Sequence, residues 1–299
     1  MRNGQAFGCG QCLPCRLKNR RTWTHRLMLE AGLQSDNAFV TLTYAEPQVD
    51  ETTGEKYTPV HVEYRHHRRF MDALRKRIAP LRIRFYMVAE YGDEGGRPHY
   101  HYILFGYPSC RGKHPKYRCC SACDPIEEVW GKGLIRNDPV EIGTCRYVAK
   151  YVVKKMTRRD DPRLHNREPE FAKMSNRPGI GHGALKRVAH IIARYDLLTP
   201  EGDVPVTLRH GSTQWPLGRY LRKQLRKELG LSTYAPQSLT PEASYRAFIE
   251  NEEMRSLQSA AIADPENPGL KFHLLKATQG KRDQIKKRLS MYLGKKGKL

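Results

Sequence analysis

Between Arg82 and Phe105 the chain leaves little choice of fold. Arg82 to Glu90 (RIRFYMVAE) and His99 to Phe105 (HYHYILF) are two runs of β character, and GDEGG from Gly92 to Gly96 supplies the residues of a hairpin loop. In a strand, side chains alternate between faces, so His99 and His101 project from one side, about 7 Å apart along the chain. Pairing of the two runs puts Glu90 beside His99. Two imidazoles and a carboxylate suit Mg²⁺, Mn²⁺ or Zn²⁺, and three protein ligands leave the ion positions for substrate oxygens. An open site of that kind points to Lewis-acid work, not to a structural staple. Alternating histidines also occur as plain surface decoration, and Asp93 or Glu94 could replace Glu90 as the carboxylate.

A second constellation begins some forty residues on. Gly143 to Met156 reads GTCRYVAKYVVKKM, with Thr144 placed to cap a helix and Cys145, Val148, Ala149, Val152 and Met156 on one apolar stripe. Tyr147 and Tyr151 are one turn apart on an adjacent stripe, flanked by Lys150, Lys154 and Lys155. Taken alone they read as half-buried aromatics of an amphipathic helix. A phenol with a free pKa of ~10 is a poor nucleophile, but a cation that polarises a phosphodiester makes the phosphorus accept it.

Pro98-His99-Tyr100-His101 followed by YVAKYVVKK resembles motifs two and three of the HUH endonucleases, of the two-tyrosine kind found in rolling-circle replication initiators. FVTLTY, Phe39 to Tyr44, resembles motif one. With CGQCLPCR at Cys9 to Arg16, the arrangement is most similar to the replication initiation proteins of microviruses of the gokushovirus type, over residues 8–180. The resemblance implies an α+β fold: a central antiparallel sheet of HUH type (split βαβ, RRM-like) with the histidine strand in the middle, flanked by helices, followed by a mainly helical basic C-terminal part. The order of elements agrees with a split βαβ sheet.

The same resemblance implies a mechanism. His99, His101 and Glu90 would hold Mg²⁺ or Mn²⁺, and Tyr147 or Tyr151 would attack a single-stranded origin, leaving a 5′-phosphotyrosine and a free 3′-OH. The other tyrosine would cut the regenerated origin and let the displaced circle close. Lys150, Lys154 and Lys155 are candidates to bind the strand. No GxxxxGK[ST] stretch is present, so a host helicase, with host polymerase, is the expected partner. An HUH transposase or relaxase is the nearest competing enzyme, and a non-catalytic nucleic-acid-binding or packaging protein is the competitor from another class.

Charge supports a polyanionic partner. The formal net charge is +22, from 53 Lys and Arg against 31 Asp and Glu, and such a field attracts phosphate and releases its counterions. No apolar run approaches the ~20 residues of a spanning helix, and Met1 to Gly10 has no signal-peptide core. The expected place of action is the host bacterial cytoplasm, without a membrane partner.

There are eight cysteines. Cys9-x-x-Cys12-x-x-Cys15 and Cys120-x-x-Cys123 are candidates for structural Zn²⁺, with Cys110 and Cys119 close to the second pair. Their alternative is a set of reduced thiols packed as small apolar groups.

Four regions are expected: an N-terminal Cys-containing basic helical segment (1–36), the HUH core (37–160), a basic extension (161–235) and a helical region with a basic tail (236–299). Within them, a helix is predicted from Cys15 to Leu33, a polar loop from Glu46 to Pro59, and a helix from Val62 to Ala79 carrying His66 and His67 on its surface. A short helix spans Asp124 to Trp130, and a strand lies within Leu134 to Ile142. Gly179, Gly181 and Gly183 are candidates for backbone approach to a phosphate. A further basic helix is predicted from Leu217 to Leu229.

Overall fold

The computed structural model describes residues 13–45, 48–49, 52–57, 59–92, 96–112, 119–154, 164 and 167–234. Helix α1 (Leu13–Ala31) is followed by strand β1 (Asn37–Tyr44), a small hairpin of β2 (Gln48–Val49) and β3 (Lys56–Tyr57), and helix α2 (Tyr64–Arg77). Then come β4 (Arg84–Tyr91), β5 (Pro98–Phe105), α3 (Asp124–Trp130), β6 (Gly133–Pro139) and α4 (Ile142–Lys154). The remainder is β7 (Phe171–Met174), α5 (Leu185–Arg194), the hairpin β8 (Thr207–His210) and β9 (Thr213–Pro216), and α6 (Gly218–Glu228). Five strands form one sheet in the order β6-β1-β5-β4-β7, every neighbouring pair antiparallel. The fold is α+β, and the histidine strand β5 is its central strand.

The two-residue alternation along the strands builds two different layers. On one face Phe39, Tyr86, Val88, Ile103 and Phe105 meet Leu27 of α1 and Cys145, Val148 and Ala149 of α4. On the other, Val40, Leu42, Met87, Tyr100, Tyr102 and Leu104 meet Phe70, Met71 and Leu74 of α2 and Ile126 and Trp130 of α3. A third core gathers Leu185, Ile192, Val204, Leu217, Leu221 and Leu225 from α5, α6 and the segments between them, and reaches Leu29 of α1. Helix α1 therefore serves two cores at once.

Several local expectations change. His66 and His67 are not on the surface: they are 4% and 5% exposed. Both lie on the stripe of α2 that carries Phe70, Met71 and Leu74 toward the sheet, and tyrosine hydroxyls of the strands receive them. The Tyr44 hydroxyl lies 2.7 Å from His66 Nδ1 and 2.8 Å from the Tyr100 hydroxyl, and the Tyr102 hydroxyl lies 3.0 Å from His67 Nδ1. A histidine with such a partner satisfies the rule that buried polar groups are bonded.

Thr144 is not the residue that precedes α4. It sits in the first turn, where its hydroxyl donates to the Glu141 carbonyl and accepts from the Glu141 N–H, both at 2.7 Å. The 46–59 segment contains β2 and β3 in place of a plain loop. Gly181 serves close packing instead of a phosphate: at φ +82° it lies against the Arg26 backbone, where an added Cβ would come 3.1 Å from the carbonyl oxygen. Gly183 likewise abuts Leu33.

Burial keeps two histidines away from the charged form. His25 and His67 are both lowered from 6.5 to about 4, chiefly by desolvation; His210 adds to the effect at His25, and Lys173 and Arg75 add to it at His67. The unfolded chain thus binds protons that the folded one refuses, so stability is present above 6.5 and falls as pH drops toward 4. The loss is on the order of 2 kcal/mol per histidine. Urea unfolding across that window is expected to show the decline, and His67→Gln to make it shallower.

Candidate metal and tyrosine site

The register of three strands assembles the site. Thr41 and Thr43 of β1 stand opposite His101 and His99 of β5, and on the other side Glu90 of β4 stands opposite His99. All five side chains point to the face covered by α1 and α4. The Thr41 hydroxyl lies 3.0 Å from His101 Nδ1 and the Thr43 hydroxyl 3.0 Å from His99 Nδ1. His101 Nε2 lies 2.8 Å from Glu90 Oε1.

These bonds decide what the imidazoles can offer. With Nδ1 protonated, each ring donates to its threonine and leaves a lone pair on Nε2; the Nε2 of His101 and the Glu90 carboxylate then present adjacent acceptors. With Nε2 protonated, His101 donates to Glu90 and accepts from Thr41. Desolvation, the neighbouring His101 and Arg97 together lower His99 from 6.5 to about 4, so it is neutral near pH 7 and its lone pair is available. Glu90 and His101 are 3% and 6% exposed. Gly92 leaves room beside the site, since a Cβ there would come 3.1 Å from His99 Nε2. Two imidazoles tied by their second nitrogens, next to a buried carboxylate, fit a divalent cation.

Tyr147 is brought to the same face. Its ring stands edge-on to His101, with centroids 5.4 Å apart and planes at 88°, and edge-on to Phe39 at 6.0 Å. Phe39 in turn stacks on His101 at 5.7 Å. The Lys150 ammonium lies 6.0 Å from the Tyr147 ring centroid. Tyr151 and Lys154 follow in α4, but their side chains lie outside the described residues, as does Lys155.

The cysteines divide. Cys120 and Cys123 gather with Cys110 and Cys119, all four sulfurs within 4.8 Å of one another. Such a cluster could hold a metal. Cys15, in α1, is not one of the four, and Cys9 and Cys12 lie outside the described residues.

Comparison with known proteins gives this arrangement its context. Residues 37–156, from the start of β1 to just beyond α4, match a family model of replication-associated proteins of the ORF2 type. This segment is a replication-associated protein domain of that type. The domain holds every residue placed above at the histidine and tyrosine site. The replication-associated protein VP4 of Bdellovibrio phage phiMH2K is 28% identical over 163 residues, 52% of this chain and 50% of that protein. The replication-associated protein ORF4 of Chlamydia phage 1 is 29% identical over 162 residues, 49% of this chain and 38% of its own. The replication-associated protein ORF2 of Spiroplasma virus 4 is 26% identical over 231 residues, 74% and 68%. The chain thus spans half or less of the length of the first two, and no solved structure gave a significant match. The similarity is to replication-associated proteins of microviruses, the type that the motifs resemble.

Sequence reasoning takes FVTLTY as mainly structural and misses Thr41 and Thr43. Their signal is the alternation that places two hydroxyls on the face of a strand adjoining the histidine strand. Replacing both by valine keeps the shape and removes the hydroxyls. Mn²⁺ affinity, measured by calorimetry, is expected to fall by ~10- to 100-fold, as for other groups that orient ligating histidines.

Proposed function

We propose that this chain nicks and rejoins single-stranded DNA through a tyrosine, and so initiates and terminates rolling-circle replication of a small phage genome. The observation that carries the reading is the Tyr147 ring against His101, on the sheet face that also holds His99 and Glu90. The match to replication-associated proteins supports the setting.

His99, His101 and Glu90 would hold Mg²⁺ or Mn²⁺, which supplies polarisation of the scissile phosphate and offsets charge on the departing oxygen. Everything else falls to the protein. Thr41 and Thr43 fix the imidazoles. Phe39 packs against both His101 and Tyr147 and so sets the separation of the phenol from the imidazoles. The Tyr147 oxygen forms a bond to phosphorus as the bond to the 3′-oxygen breaks; the phenol gives up its proton and the 3′-oxygen gains one. The link to the protein is a phosphodiester like the one it replaces, so the reverse step rejoins the strand without ATP. Tyr151, one turn along α4, would act in the second cut. Lys150 stands beside the Tyr147 ring, where it can offset phosphate charge.

The partners in this reading are single-stranded DNA at the phage origin and the helicase and polymerase of the host cell, in whose interior it would act. Among the described residues no helix is long and apolar enough to cross a membrane.

The test is covalent capture. Incubation with origin-containing single-stranded DNA and Mn²⁺ is expected to give a protein–DNA adduct that survives denaturation, and chelation of divalent ions to prevent it. Tyr147→Phe with Tyr151→Phe is expected to abolish the adduct. His101→Ala should lower its rate by at least the ~100-fold upper end known for groups that merely support a metal ligand. Equal DNA binding with and without divalent ions, and no adduct under any condition, is the behaviour of a passive nucleic-acid-binding protein and would overturn the reading.

A further inference from the structure

At the end of the sheet away from the histidine site's loop, four thiols from separate pieces of chain meet. Cys110 follows β5, Cys119 and Cys120 precede α3, and Cys123 is the residue from which α3 starts. Cys119 Sγ is 3.5 Å from Cys110 Sγ, Cys120 Sγ is 3.8 Å from Cys110 Sγ, and Cys120 Sγ is 3.6 Å from Cys123 Sγ. A disulfide would need about 2.05 Å, so these are not bonded pairs. A zinc ion with Zn–S bonds of about 2.3 Å in a tetrahedron sets its sulfurs about 3.8 Å apart. The measured separations match that edge.

The geometry points to a Zn²⁺ ion held by Cys110, Cys119, Cys120 and Cys123 as a closed four-thiolate site. Three further observations suit it. The Cys120-x-x-Cys123 turn is closed by the Cys123 and Asp124 N–H groups, which donate to the Cys120 carbonyl at 2.8 and 3.0 Å. The Gly112 N–H donates to Cys110 Sγ at 3.3 Å, a bond that favours the thiolate. Gly112 also lies against Cys119, where a Cβ would come 3.0 Å from its sulfur, so the backbone wraps closely around the cluster. Thiolate ligands select zinc over the hard cations that suit the histidine and carboxylate site, and four of them leave no position for a substrate. The ion is structural.

Its place in the fold gives it a task. The Cys110 N–H donates to the Asn137 carbonyl of β6 at 3.2 Å, and the Tyr107 hydroxyl donates to the Ala122 carbonyl at 2.9 Å. The clasp therefore fixes the connection from β5 to α3 against the sheet edge. Helix α3 ends at Trp130, whose indole N–H donates to the Thr43 carbonyl at 3.2 Å, and the Thr43 hydroxyl holds His99. Zinc fixes the start of a helix whose other end braces the strand behind His99.

Metal content of the full chain, produced with zinc in the medium and quantified by mass spectrometry, tests the assignment. One zinc per chain is expected in the wild type and in the Cys9→Ser, Cys12→Ser, Cys15→Ser triple variant, and none in Cys120→Ser with Cys123→Ser. Zinc lost from the triple variant but kept by the double variant would move the ion to the N-terminal cysteines and overturn the proposal. Because the double variant risks misfolding, cobalt titration of the triple variant gives an independent readout. One equivalent is expected to produce thiolate-to-cobalt charge transfer and the d–d bands of a tetrahedral four-thiolate site, displaced by one equivalent of zinc. No such bands, or iron as the native metal, would also overturn it.

Discussion

Everything at the histidine site depends on the register between β1, β5 and β4. Thr41 faces His101, and Thr43 and Glu90 flank His99, so hydroxyl, imidazole and carboxylate form one row across three strands. A slip of one residue would turn the whole row to the opposite face. That face has its own polar pattern: Tyr44, Tyr100 and Tyr102 of the same strands bond to one another, to His66, to His67 and to the Glu63 backbone. Each of those groups left unpaired inside the core would cost about 1–3 kcal/mol. The buried network of the back layer therefore holds the front layer in place, although none of its residues comes near the reacting groups.

The front layer brings the phenol. Helix α4 buries Cys145, Val148 and Ala149 against the sheet, and this rotation sets the adjoining stripe, with Tyr147, toward His101. Phe39 then acts as a spacer, stacked on one ring and edge-on to the other. An aromatic wedge resists compression and has few rotamers, so it holds a nucleophile at a fixed distance better than a flexible side chain would. Motif one thus supplies both the threonines and the wedge, on one face of one strand.

Much of this is legible in the sequence, because periodicity and turn residues are local signals. The hairpin of β4 and β5, the placement of Glu90 beside His99, helix α3 to its end residues and the apolar stripe of α4 all follow from alternation or helical spacing. What stays hidden needs a partner from elsewhere in the chain. His66 and His67 read as surface residues because nothing within α2 shows that tyrosine hydroxyls await them. Strand β7, four residues long, carries too little pattern to announce that it joins the sheet beside β4. Cys110 and Cys119 stand out only as neighbours of a CxxC pair, since the fold, not the spacing, brings their sulfurs into the cluster.

Charge shows how far a compositional argument reaches. The excess of +22 suggests phosphate contacts all along α1, yet its arginines are at work inside the protein. Arg20 donates to the Arg146 carbonyl, Arg21 to the Gln214 carbonyl and Arg26 to the Ile180 carbonyl, while Arg26 also lies over the Trp23 and Tyr220 rings. These bonds tie α4, the β8–β9 hairpin and the segment before α5 to the helix. A carbonyl or a ring accepts a guanidinium without cancelling its charge, whereas the arginines on the back layer meet carboxylates, as Arg77 does Glu128 and Arg65 does Glu63. The same side chains that glue the front layer together thus leave it the more positive side, and a polyanion drawn by long-range attraction would be steered toward the face where Tyr147 and the histidines lie.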